Sequence, residues 1–215
     1  MGELTDTSIE VAGLVDGVLD ESGWVRWGNA TSWNWLDNCG AGCPQSEMNA
    51  DGFARRLAWA RHLAAAGRAY FHINEWGPGT DFGMNPSGIP FNITGQEHRW
   101  IRQWVVSAQL LSKGSAGGGA YLTCIQCYGE ASYLEEYSAP VGAALGDPVV
   151  DATTGVWRRE FSGATVFANP ASLAGSAAVP QPVELRESYR DLYGNLFPKG
   201  TYLLNATSGW VLLRA

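Results

Sequence analysis

Arg68-Ala69-Tyr70-Phe71-His72-Ile73-Asn74-Glu75-Trp76 is the stretch on which the fold turns: a short, nearly unbroken apolar run that stops at a carboxylate. A run of this length, without polar alternation, suits a parallel strand buried on both faces. Two more runs have the same form. Val11-Ala12-Gly13-Leu14-Val15-Asp16-Gly17-Val18-Leu19 ends in Asp20-Glu21, and Ala120-Tyr121-Leu122-Thr123-Cys124-Ile125 leads through Gln126-Cys127-Tyr128-Gly129 to Glu130. Between the runs lie two helical patterns. Asn49 can cap a helix that buries Phe53, Leu57, Ala60 and Ala64 and ends at Gly67. Thr94-Gly95-Gln96-Glu97 forms a capping box ahead of Trp100 or Ile101, Trp104, Ala108 and Leu111, with Gly114 beyond. Strand, helix, strand, helix, strand predicts α/β architecture with right-handed parallel crossovers.

The periodicity changes near Gly146-Asp147-Pro148. From there the pattern has period two. Residues 156–161 and 164–168 flank Ser162-Gly163, which reads as a hairpin turn, and 183–187, 201–204 and 210–214 continue as short strands. The chain thus divides into a partial β/α barrel over 1–148 and a small antiparallel β sheet or sandwich over 149–215.

Composition limits what such a chain can bind. Its 215 residues are 46% hydrophobic, enough for a packed core, and 21 acidic against 14 basic residues leave a net charge of −7. With no cluster of Lys and Arg, nucleic acid and anionic membranes are poor partners. No run approaches the ~20 apolar residues of a bilayer span, and the opening Met1-Gly2-Glu3-Leu4 lacks the features of an export signal. Localisation stays undetermined. The cysteines fall in two close pairs, Cys39/Cys43 and Cys124/Cys127. Unpaired core thiols, two local disulfides and a four-thiolate zinc site all fit that spacing.

Ligands of parallel β/α folds bind at the carboxyl ends of the strands. Here those ends carry Asp20 and Glu21, Glu75, and Glu130, so one face of the sheet collects acids. Hydrolysis of a glycosidic bond needs such a set, one carboxyl to protonate the leaving oxygen and another to attack or to activate water. The adjoining loops hold Trp24, Trp27, Trp33, Trp35 and Trp76 beside Arg26, Asn29, Asn34, Asp37 and Asn38. Flat indole faces next to polar side chains suit the C–H faces and hydroxyl edges of sugar rings. A strand-end acid is also a common helix cap or ion-pair partner, and tryptophans near a barrel mouth also pack loops. His62, His72 and His98 show no metal-ligand spacing and read as structural. Gly117-Gly118-Gly119 precedes a strand and lacks the Lys-Ser/Thr of a phosphate-binding loop. No cofactor is implied.

The segment from Leu145-Gly146-Asp147-Pro148 through Gly155-Val156-Trp157-Arg158-Arg159-Glu160-Phe161-Ser162-Gly163 to Val166-Phe167-Ala168-Asn169-Pro170, followed by Tyr189-Arg190-Asp191-Leu192-Tyr193-Gly194 and Gly209-Trp210-Val211-Leu212-Leu213, resembles the uncharacterised glycoside hydrolase-like proteins of the (β/α)8 superfamily that carry a C-terminal β domain. Val15-Asp16-Gly17-Val18-Leu19-Asp20-Glu21 is similar to the Asp-Gly-Val strand whose end bears active-site acids in many such barrels. The resemblance implies a site that includes Asp20 or Glu21 and Glu75. Asn74-Glu75 looks like the Asn-Glu pair bearing the acid/base in one large glycosidase clan, where it ends the fourth strand, whereas the single strand that follows here would place Glu75 at the seventh.

A full barrel takes about 250 residues. Residues 1–148 supply three or four β/α units, too few for closure. The chain therefore reads as the C-terminal portion of a longer barrel, or as a half that recruits a second copy. The expected activity is hydrolysis of O-glycosidic bonds by Glu21 and Glu75, with Asp20 able to replace Glu21. Glu130 and the five tryptophans are expected to hold the sugar. Carboxyl groups ~5 Å apart would retain anomeric configuration, and a spacing of roughly 6.5–9.5 Å would invert it. The alternative is a carbohydrate-binding or remnant protein without a working acid/base pair; a third is a structural domain in which the four cysteines meet.

Overall fold

The computed structural model describes residues 14–20, 24, 50–73, 95–114, 120–123, 135–170, 180–206 and 208–215. Three short strands, β1 (Gly17–Asp20), β2 (Ala69–Ile73) and β3 (Ala120–Thr123), form a parallel sheet in the order β1-β2-β3. Helix α1 (Ala50–Ala65) connects the first pair, and α2 (Gly95–Ser112) the second. α1 begins one residue after Asn49 and buries all four expected positions, Phe53, Leu57, Ala60 and Ala64. Its end is closed by Gly67 at φ 69°, with Arg68 N–H donating to Leu63 O at 2.8 Å and Gly67 N–H to Ala64 O at 3.1 Å. That bonding pattern is the Schellman motif, and the left-handed backbone it needs is the reason a glycine stands there.

The first strand departs from the expected two-faced burial. Val18 and Tyr70 pack with Ala60 and Leu63 beneath α1, but Leu19, on the opposite face, is 61% exposed. β1 is the edge of a three-stranded sheet, and among the described residues α1 covers only one of its faces. Burial on both faces needs a second layer there.

Beyond residue 148 the chain is antiparallel. β4 (Val149–Val150), β5 (Trp157–Glu160), β6 (Ala164–Asn169), β11 (Ser208–Arg214), β8 (Tyr189–Arg190) and β9 (Leu196–Phe197) make one six-stranded sheet in that spatial order. β7 (Gln181–Leu185) and β10 (Gly200–Leu204) pair separately. The expected hairpin is present: Phe161 and Ala164 exchange backbone bonds of 2.8 and 3.4 Å around Ser162-Gly163. The two-residue strands β4, β8 and β9 are too short to leave a periodic signature.

Both faces of the large sheet are covered. On one, Phe167, Leu212 and Tyr189 pack with Val183, Leu185 and Leu204 of β7 and β10. On the other lies α2. Trp104, Val105, Ala108 and Leu111 of α2 share one core with Trp24 and Phe53 on one side and with Phe161, Ala164, Val166, Ala168 and Val211 on the other. Packing therefore runs without interruption across the 148/149 boundary. Contact at β11 is close because Gly209 has no side chain: a Cβ there would stand 2.5 Å from Cβ of Ser107.

Candidate functional site

Because β1, β2 and β3 run parallel, their carboxyl ends share one edge. Asp20 lies in register with His72, and Ile73 with Thr123. Asp20 is the last residue of β1. Glu21 follows it directly and Glu75 follows Ile73 by two positions in the sequence. Glu21, Glu75, Glu130, Trp27, Trp33, Trp35, Trp76 and the four cysteines, Cys39, Cys43, Cys124 and Cys127, lie outside the described residues.

Trp24 is a correction. Expected on a sugar platform, it is 1% exposed and wedged between the two helices. Its ring lies 5.4 Å from that of Phe53, its indole N–H donates to Gln109 Oε1 at 3.4 Å, and its carbonyl accepts from Trp104 Nε1 at 2.9 Å. Burying an indole of this size gains about 5 kcal/mol at most. With Phe53 of α1 and Trp104 of α2 also in direct ring contact at 5.5 Å, the Trp24 ring is committed to the core.

Three polar clusters sit elsewhere among the described residues. At the start of α2, the buried Glu136 of a single 3-10 turn (Glu135–Ser138) accepts from Tyr193 Oη at 2.9 Å and faces Arg102 at 3.5 Å. Arg99 lies 5.0 Å above the Tyr193 ring. Burial, and then the charge of Glu136, pushes the Tyr137 hydroxyl up to about 12, and the same two causes raise Tyr193. Among the described residues, Glu136 Oε2 and Arg102 Nε are buried without a hydrogen-bond partner.

At the other end of α2, Arg159 is 1% exposed. Its guanidinium donates to the carbonyls of Leu110 at 2.9 Å, Leu111 at 3.3 Å and Gly146 at 3.0 Å, and also to that of Lys113. Leu110 and Leu111 belong to the last turn of α2, whose carbonyls have no partner within the helix, and the cation sits at the negative end of its dipole. Burial, and then the neighbouring Arg61, lowers its pKa. Arg159 is thus a helix cap delivered from the sheet. The third cluster lies on the sheet, where Glu160 accepts from Arg158, from Arg214 at 3.1 Å and from the Thr165 hydroxyl at 2.7 Å. It staples three neighbouring strands.

Sequence reading missed Glu136, Tyr193, Arg102 and Arg159 as a set. The pairings of Glu136 with Arg102 and Tyr193, and of Arg159 with the end of α2, span 34 or more residues and leave no local pattern. Among the described residues no group of three or more His, Cys, Asp or Glu side chains could hold a metal ion. None of the described helices is long and apolar enough to cross a membrane. No family model, no curated protein and no solved structure matches the chain.

Proposed function

We propose that this chain is the later portion of a (β/α) barrel that hydrolyses O-glycosidic bonds at the carboxyl edge of its parallel sheet. Glu21 and Glu75 are the carboxyl pair, and Asp20 stands in for Glu21 if the strand register turns its neighbour away. Trp27, Trp33, Trp35 and Trp76 stack the sugar, with Glu130 beside them. The observation that supports this reading is the parallel register of β1 on β2, which puts the last residues of the two strands, Asp20 and Ile73, toward one edge of the sheet. The exposure of Leu19 on the face away from α1 supports the barrel: in a closed barrel that face points inward and is packed. The missing layer is either the preceding half of a longer barrel or a second copy of the chain.

The chemistry follows from the pair. One carboxyl, kept protonated, gives its proton to the leaving oxygen, while the other, ionised, attacks the anomeric carbon or activates water. The test is release of reducing ends from a panel of 4-nitrophenyl glycosides and soluble polysaccharides, alongside calorimetric binding of the same polysaccharides. Turnover in the parent is the expected result. Binding without turnover, unchanged in Glu21→Gln and Glu75→Gln, would turn the site into a carbohydrate-binding one; neither binding nor turnover would remove the carbohydrate reading.

A further inference from the structure

We draw no further inference here: the strongest candidate, the buried side-chain cluster of Glu136, Arg102 and Tyr193 at the start of α2, ties described segments to one another, and nothing among the described residues shows what group beyond the cluster it serves.

Discussion

A methyl group at position 209 has no room. An added Cβ would meet Ser107 Cβ at 2.5 Å, Ser107 Oγ at 2.6 Å and the Gln103 carbonyl at 3.2 Å, all on α2. Backbone on both sides of the contact is held, by the α2 helix and by the β6 ladder of β11, so relief requires the helix to lift from the sheet. Overpacking of this kind costs about 1–3 kcal/mol, which for a chain of this size lowers the melting point by roughly 2–12 °C. Urea unfolding of Gly209→Ala, followed by tryptophan fluorescence, reads the loss as a lower midpoint at constant slope. Ser107→Gly alone should cost about 1 kcal/mol as a glycine inside a helix. In the double variant the two nearest clashes vanish, so the pair should couple favourably by at least about 1 kcal/mol. A neutral Gly209→Ala, or a coupling energy near zero, would refute the packing of α2 on β11, and with it the single core that joins the two sheets.

Arg159→Met should destabilise the chain by on the order of 3 kcal/mol, since it strips hydrogen bonds from the end of α2 and from Gly146; Arg159→Lys should recover little, because one ammonium cannot span carbonyls that a planar fork reaches. Thermal melts of both variants decide this, and a Lys variant equal to the parent would contradict it. Alkali should act through the half-buried tyrosines Tyr137 and Tyr193. Tyr137 has a folded pKa near 12 against an ordinary 10.0, so its contribution is complete below pH 10 and drains away as pH rises from 10 toward 12. Absorbance at 295 nm and circular dichroism recorded together should show the last phenolates forming only as the fold is lost. Reversible ionisation of every tyrosine near pH 10 in a folded chain would count against that burial.

The sequence made some of this architecture legible and hid the rest for physical reasons. Helix α1 was readable because each of its signals, the i, i+4, i+7 spacing of Phe53, Leu57 and Ala60 and the stop at Gly67, is local in the sequence. The Ser162-Gly163 hairpin was readable for the same reason. Trp24 was misread because a tryptophan in an acidic, polar stretch carries no local sign of the distant Trp104 and Phe53 that enclose it. The Arg159 cap and the Glu136 cluster join segments far apart in the sequence, where neither periodicity nor spacing can register them. Of the candidate site, the parallel strands and the single edge they share were legible from the three apolar runs.

The carboxyl pair is tested most directly by kcat/KM of the parent, Glu21→Gln and Glu75→Gln on the best aryl glycoside. A positioned acid or base contributes roughly 10²–10⁴-fold, so each variant should lose at least a hundredfold while binding the sugar as the parent does. Variants that turn over at the parent's rate would show that these two carboxyls are not the ones that cut the bond.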